Sequence, residues 1–133
     1  MNRIPEPELM DDPAQALAYA RADFEQPHTR FIAQFRACFP DWPGRGHVLD
    51  LGCGPGDICR RFAQAFPETV VHGVDAATAM LHIGRDDLRE AGLDRRVELF
   101  KGYLPGALLP LEEYDAVISN SLLHHLHDPL ALW

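Results

Sequence analysis

The residues best suited to chemistry form a glycine-rich loop that follows a carboxylate. Gly52, Gly54 and Gly56 can adopt backbone angles that other residues avoid, and they let a ligand approach the main chain closely. A helix expected after the loop would begin with unpaired N–H groups, which suit an acceptor-rich ligand. Asp50 precedes the loop, where its charge would repel a pyrophosphate but attract a cationic group. The glycine spacing also differs from the Gly-x-Gly-x-x-Gly of dinucleotide-binding proteins.

A second carboxylate, Asp75, follows 25 positions after Asp50 and ends an expected strand. Its two oxygens match the two adjacent hydroxyls of a ribose. Taken singly, the loop could be a tight turn and Asp75 a helix cap. Their order, with each at the carboxyl end of a strand, favours a ligand site instead.

Three segments resemble motifs of the class I S-adenosylmethionine-dependent methyltransferases, especially those that act on small molecules. Residues 48–56 are similar to the first motif, residues 71–75 to the second-strand motif, and residues 114–126 to the fourth strand and its turn. The resemblance covers about residues 47–130. It implies a Rossmann-like fold, S-adenosyl-L-methionine as cofactor, S-adenosyl-L-homocysteine as product, and a small-molecule methyl acceptor.

The resemblance also implies roles for single residues. The methionine part of the cofactor would contact Asp50 and the loop backbone, Asp75 would bind the ribose, and Asn120 and Ser121 would lie near the methyl group. Met80 could line the adenine pocket or simply belong to a helix core. The complete set of expected cofactor-binding residues is Asp50, Gly52, Cys53, Gly54, Gly56, Asp75, Ala76, Met80, Gly102, Tyr103, Asn120 and Ser121.

The sequence departs from the family after its third expected strand. Relatives often have Gly-Asp there, and the carboxylate accepts a hydrogen bond from the adenine amino group. This chain has Gly102-Tyr103. Tyr103 cannot supply a carboxylate, but it could stack on the adenine, or nearby main-chain groups could bind the base.

Histidines near the C-terminus permit two further interpretations. His124 and His127 could share a helical face and bind a metal, with His125 and Asp128 close by, but a family-like turn without metal is favoured. A histidine here could also act as a base towards the methyl acceptor, although nothing selects one. Methyl transfer from a sulfonium mainly requires alignment of donor and acceptor, so the catalytic residues stay unassigned.

The spacing of apolar residues predicts the elements that position these groups. Residues 1–46 are expected to be helical and to form a cap or lid; Asp12 would cap a first helix reaching about Asp23 or Phe24, and Pro27 would open a second. Tyr19 and Phe24 could belong to the lid or pack this segment onto the rest. Residues 47–133 are expected to form an S-adenosylmethionine-binding half-domain, an α/β, doubly wound, three-layered fold with strand order 3-2-1-4. Its expected strands are residues 47–51, 69–74, 96–100 and 114–119.

Composition excludes some classes of protein and leaves others open. A net charge of −8 argues against general electrostatic binding to nucleic acid, although a local basic patch could still bind RNA. Three cysteines without a Cys-x-x-Cys pair suggest free thiols in a reducing compartment. The acidic N-terminus is unlike a signal peptide, and no apolar run is long enough to cross a membrane. We therefore expect a cytoplasmic protein.

The family fold has seven strands in the order 3-2-1-4-5-7-6, and only four are expected before Trp133. We expect the chain to be a fragment of a longer protein. The alternatives are a reduced, inactive relative, or completion by a partner or second copy, including a homodimer paired through the open edge of strand 4. A non-catalytic module that binds the cofactor or a partner methyltransferase competes with the enzyme hypothesis. The glycine spacing and Asp50 disfavour a nicotinamide-dependent oxidoreductase.

Overall fold

Helices and strands alternate along the chain after two initial helices. The structure is a computed structural model, which describes residues 12–103 and 109–120. The elements within these residues are α1 (Pro13–Ala20), α2 (Glu25–Cys38), β1 (Arg45–Leu51), α3 (Asp57–Ala65), β2 (Glu68–Asp75), α4 (Thr78–Glu90), β3 (Val97–Lys101) and β4 (Ala116–Ser119).

The strands form one parallel sheet in the order β3-β2-β1-β4, which confirms the predicted topology. Leu51, at the end of β1, pairs with Val74 of β2 on one side and with Ser119 of β4 on the other. The carboxyl ends of these three strands therefore meet at one edge, where ligands bind in open α/β sheets. Within the described residues, β4 has only β1 as a neighbour, so the predicted pairing of its other edge stays a prediction.

One face of the sheet carries the main core. Alternate strand residues such as Val48, Val71 and Val97 point to this face and contact α3 and α4, while α2 packs against α3. Phe62 of α3 is completely buried at the centre. Removal of an aromatic ring from such a position usually costs about 3–5 kcal/mol, so this packing fixes α3 and the loop before it.

The opposite face carries a smaller apolar cluster. Leu49, Leu51 and Val74 are buried there and contact Phe100 and Tyr114. The helical segments predicted after β4, from Leu122 and from Asp128, lie outside the described residues.

The first helix begins as predicted, but its end and the start of the second helix differ from the predicted residues. Asp12 caps α1 as expected, because its Oδ1 accepts a hydrogen bond from the N–H of Ala14 at 3.2 Å. However, α1 ends at Ala20 rather than near Phe24, and α2 begins at Glu25 rather than Pro27. The cause is a local turn, since Asp23 accepts a hydrogen bond from the N–H of Glu25 and thereby stabilises a new helix start.

Each strand boundary differs from the predicted one by no more than two residues. No helix within residues 12–103 and 109–120 has the length and apolar character needed to cross a membrane.

Candidate functional site

The glycine loop runs from the end of β1 to the start of α3 with its glycines in the left-handed region. Gly52 has φ 73° and Gly54 has φ 55°, and Gly56, the N-cap residue of α3, has φ 80°. The N–H groups of Gly52 and Cys53 both donate to the carbonyl oxygen of Val74, at 2.8 and 3.1 Å. The loop is thereby held against the end of β2.

Asp75 joins the loop to the neighbouring elements. Its Oδ2 accepts a hydrogen bond from the N–H of Gly54 at 2.8 Å, and its Oδ1 accepts one from the N–H of Ala77 at 2.9 Å. The N–H of Gly102 donates to its carbonyl oxygen at 3.0 Å. Each carboxylate oxygen retains a lone pair, so Asp75 can still accept hydrogen bonds from a ligand.

Asp50 lies buried beneath the loop, with 2% of its surface exposed. The thiol of Cys59 donates to its Oδ2 over 3.1 Å. Burial raises the pKa of Asp50 to about 7, because the Cys59 hydrogen bond offsets only part of the desolvation and the charge of Asp75 adds to it. This carboxyl group can therefore change its protonation state near neutral pH.

A cavity of about 330 Å³ opens above the loop. Its walls are the loop, the start of α3, the segment between α1 and α2, and the end of β4. Among the residues predicted to bind the cofactor, those that line this cavity are Asp50, Gly52, Cys53, Gly54 and Asn120.

The remaining predicted residues lie elsewhere around the loop. Gly56, Asp75, Ala76, Met80, Gly102 and Tyr103 are not among the described residues that line the cavity, and Tyr103 is 60% exposed. Ser121 lies outside the described residues.

Helix α1 covers the region that the motifs assign to the adenine. Ala16 of α1 is completely buried against Ala77 and Met80, and Tyr19 packs beside them. Arg21, directly after α1, forms an ion pair with Asp87 of α4 through contacts of 2.9 and 3.1 Å. Met80 therefore has the position of a core residue, and a ligand could contact it only if α1 moved.

Tyr19 also lies over the loop, where a Cβ added to Gly54 would be 4.0 Å from its ring. Burial, followed by the negative charges of Asp75 and Asp57, raises the pKa of the Tyr19 hydroxyl. The hydroxyl therefore remains a hydrogen-bond donor at neutral pH.

A polar cluster at the start of α3 was not predicted from the sequence. Asp57 Oδ2 lies 2.6 Å from Nδ1 of His28, and the guanidinium groups of Arg60 and Arg61 donate to Asp57 over 2.7 Å each. Burial disfavours the ionised Asp57, but these hydrogen bonds outweigh it and lower its pKa to about 2. The available signal was an acidic residue in the first turn of a helix, which does not identify a partner 29 positions away.

Within the described part of the chain, no group of three or more His, Cys, Asp or Glu side chains is arranged to hold a metal ion. The histidines that suggested a metal, His124, His125 and His127, lie outside that part.

Several curated proteins share sequence with this chain. It is 31% identical over 90 residues to the release factor glutamine methyltransferase of Thermosynechococcus vestitus, covering 67% of this chain and 31% of the relative. It is 36% identical over 77 residues to the trans-aconitate 2-methyltransferase of Mycolicibacterium gilvum, covering 58% and 27%. The U6 snRNA (guanine-N(2))-methyltransferase THUMPD2 of Mus musculus is 37% identical over 73 residues, covering 55% and 14%. The chain thus spans less than a third of each of these relatives.

Two solved structures have the same fold. A protein of Methanococcus maripaludis assigned to the S-adenosyl-L-methionine-dependent methyltransferases superposes with a TM-score of 0.79 and 18% identity, over 96% of this chain and 58% of that one. A methyltransferase of Geobacter sulfurreducens, solved with S-adenosyl-L-homocysteine, gives a TM-score of 0.65 and 18% identity, over 92% and 45%. These similarities confirm the predicted α/β, Rossmann-like fold.

Residues 48–132, more than half of the sequence, match the family described as methyltransferase domain. The match includes all three motifs on which the resemblance was based, so that prediction is confirmed. The chain therefore belongs to the methyltransferase domain family.

Proposed function

We propose that this chain binds S-adenosyl-L-methionine and forms the cofactor-binding part of an enzyme that transfers its methyl group. The observation that carries the proposal is the arrangement at the ends of β1 and β2. The glycine loop is bonded to Asp75 through Gly54, and buried Asp50 opens to the same cavity. The Geobacter sulfurreducens neighbour, which was solved with S-adenosyl-L-homocysteine, supports this assignment.

The residues at the site fit this cofactor. Gly54 leaves space above the loop that a larger side chain would enter. Asp50 is buried as a carboxyl group whose pKa is about 7, so a cationic ligand would favour its ionised form. The cavity volume of about 330 Å³ lies near the lower end of the range for small-molecule sites, about 300–1,000 Å³.

In this proposal the bound cofactor supplies an activated methyl group on sulfur. Asp50, the loop backbone and Asn120 orient the methionine portion, while Asp75 accepts hydrogen bonds from the ribose hydroxyls. The described residues supply positioning and exclusion of water, which are the main requirements for a direct displacement. Gly102 and Tyr103, beside the end of β3, would contact the adenine.

The N-terminal residues 1–46 would serve as a lid over this site. Their described part includes α1, which covers Ala77 and Met80, and the turn that forms one wall of the cavity. We infer that α1 moves away to admit the adenosine and then returns. Ala76 and Met80 would contact the adenine after this movement.

The methyl acceptor is proposed to be a small molecule. The net charge of −8 supports this, and so does the trans-aconitate 2-methyltransferase among the relatives. Other relatives are named for a protein or an RNA acceptor, so the acceptor class rests on charge and on one relative. Unpaired cysteines, with Cys53 and Cys59 buried and Cys38 exposed, support a cytoplasmic location.

Isothermal titration calorimetry of the chain with S-adenosyl-L-methionine, S-adenosyl-L-homocysteine and NADH tests the proposal. Both adenosyl ligands should bind and NADH should not. Tight binding of NADH alone, or of no ligand, would contradict the proposal.

Gly54→Val should abolish the adenosyl binding, because the position combines φ 55° with the floor of the cavity. Gly92→Val is the matched control: it has a similar φ of 73°, and an added Cβ there meets no atom within 4 Å. Equal affinity in the two variants would remove the loop from the binding site.

A further inference from the structure

His28 is a buried residue with one ring nitrogen unused. It is 7% exposed, lines the cavity, and stacks on Phe24 with ring centres 5.0 Å apart. Nδ1 lies 2.6 Å from Asp57 Oδ2, and Asp57 is ionised because its pKa is about 2. Nδ1 therefore carries the proton and donates it. Nε2 has no hydrogen-bond partner within the described residues, and a buried polar atom in this situation usually meets a ligand or water.

The surroundings of His28 carry an excess of positive charge. The single carboxylate of Asp57 faces two guanidinium groups, those of Arg60 and Arg61. Arg61 also donates to Thr29, whereas Arg60 uses only Nη2 for its contact with Asp57 and lines the cavity. The first turn of α3 adds the partial positive charge of a helix N-terminus.

Three acidic residues other than Asp57 line the same cavity, and none of them forms an ion pair with the cluster within the described residues. Asp50 lies buried beneath the loop and accepts a hydrogen bond from the Cys59 thiol. Asp23 and Glu25 belong to the turn between α1 and α2, and the Asp23 carboxylate is bonded to the N–H of Glu25. No ion pair connects either of them to His28, Arg60 or Arg61 within the described residues. The end of the cavity nearest α3 is therefore suited to an anion.

We propose that His28 and Arg60 form the subsite for the α-carboxylate of the cofactor's methionine portion. This inference rests on the proposed function, and it adds a named pair of residues from two different helices to that function. The α-carboxylate is the only anionic group of S-adenosyl-L-methionine. Nε2 of His28 donates to the carboxylate when that nitrogen also carries a proton, and Arg60 donates from the N–H groups that Asp57 does not use.

Asp57 is a positioning residue in this arrangement. It accepts from Nδ1 of His28 and from Nη2 of Arg60, so one carboxylate orients both donors. Because His28 lies in α2 and follows the lid turn, binding of the carboxylate would also fix that turn over the loop.

The test compares S-adenosyl-L-homocysteine with its decarboxylated analogue, which lacks only the carboxylate. His28→Asn retains an amide N–H near the position of Nδ1 and removes Nε2, while Arg60→Gln removes the charge. Calorimetry on the 133-residue chain should show each variant binding S-adenosyl-L-homocysteine about tenfold or more weakly, the scale of one lost charge-assisted hydrogen bond. Affinity for the decarboxylated analogue should stay within about twofold, and the preference of the unaltered chain for the carboxylate should disappear.

Matched controls lie on α4. Arg89 makes the same i,i+3 contact with Asp86 that Arg60 makes with Asp57, but at an exposed surface, so Arg89→Gln should leave both affinities unchanged. His82→Asn, also exposed, controls for the histidine substitution.

The possible outcomes are distinct. An equal loss for both ligands would overturn the carboxylate subsite and assign His28 and Arg60 to the general shape of the cavity. Unchanged affinity for both ligands would also overturn the carboxylate subsite, and contact with the methyl acceptor would then be the role to test for His28. Failure of the unaltered chain to bind either ligand would overturn the proposed function itself.

Discussion

At the scale of single residues, burial of the Asp50 carboxyl group reduces the stability of the folded protein when that group is ionised. Within the described residues no basic side chain contacts it, and its hydrogen-bond donor is the Cys59 thiol. Its pKa in the folded protein is about 7, whereas an unfolded chain would have a value near 4. The folded state therefore holds an extra proton between about pH 4 and 7, and this group's stabilising contribution is lost as pH rises through that range.

Asp50→Asn should consequently stabilise the protein more at pH 8 than at pH 5. Asparagine cannot ionise, so the variant avoids a penalty on the order of a few kcal/mol at the higher pH. Guanidinium unfolding at the two pH values measures the difference. Asp94→Asn, which makes the same substitution at an exposed position, is the matched control. A gain that is equal at both pH values would mean that Asp50 is ionised throughout.

Asp75 is the second residue whose role is open to direct test. Asp75→Ala should weaken binding of S-adenosyl-L-homocysteine by about 1–3 kcal/mol, because the ribose would lose a charged acceptor. The loop would also lose the bond to the Gly54 N–H. Calorimetry on the folded variant gives the affinity.

Asp115→Ala is the control that separates a loss of stability from a loss of ligand affinity. Asp115 also accepts a backbone N–H, that of His47 at 2.8 Å, but at the opposite end of the strands. This control should lose stability without losing affinity. Unchanged affinity in Asp75→Ala would remove Asp75 from the ribose site.

At the scale of the secondary-structure elements, α4 packs closely against the glycine loop at Gly84. A Cβ added there would contact the backbone carbonyl of Pro55 and would lie 2.6 Å from Cδ1 of Leu99. Glycine within a helix is usually worse than alanine by about 1 kcal/mol. At this position the packing reverses the preference, because the rigid backbone of the loop cannot move away.

Gly84→Ala should therefore destabilise the fold, with about 1–3 kcal/mol of overpacking exceeding the helical gain. It should also weaken cofactor binding, since Pro55 belongs to the loop. Urea unfolding and calorimetry measure the two effects. Gly92→Ala, where an added Cβ meets no atom within 4 Å, should reduce stability through its φ of 73° alone and leave binding intact. A more stable Gly84→Ala variant would contradict the close contact between α4 and the loop.

The sequence predicted the strands and their order well, because the strands are short apolar runs and three of the four carry a family motif. The motifs placed Asp50 and Asp75 at strand ends, where the structure has them. Such patterns do not predict contacts between helices that are far apart in the sequence. Nothing periodic connects His28 to Asp57, and the packing of Ala16 on Met80 depends on the path of the turn after α1. The turn itself was missed because the hydrogen bond from Glu25 to Asp23 ends one helix pattern and starts another.

At the scale of the whole molecule, α1 is attached more weakly than α3 and α4. It contacts α4, and Ala16 is its one fully buried residue. Its ion pair joins side chains that are 57% and 33% exposed, Arg21 and Asp87, and such surface pairs contribute little stability. Helices α3 and α4, by contrast, pack directly on the sheet. Opening of α1 should therefore require much less free energy than unfolding of the domain.

This difference predicts a specific pattern of amide hydrogen exchange. Without ligand, the amides of α1 should exchange much faster than those of α3 and β1, because α1 opens separately. Saturation with S-adenosyl-L-homocysteine should slow exchange in α1 and in the turn at Ala22–Glu25, since a ligand bound beneath the lid stabilises its closed position.

The core of β1 provides the internal control, because its protection reports unfolding of the whole domain. Ligand binding that stabilised the domain without involving α1 would raise protection of β1 and leave α1 in fast exchange. That result would mean that the adenosyl ligand binds without α1 closing over it. Slower exchange in α1, together with a preserved difference between α1 and β1, would instead show that the cofactor is enclosed by a helix that opens independently of the sheet.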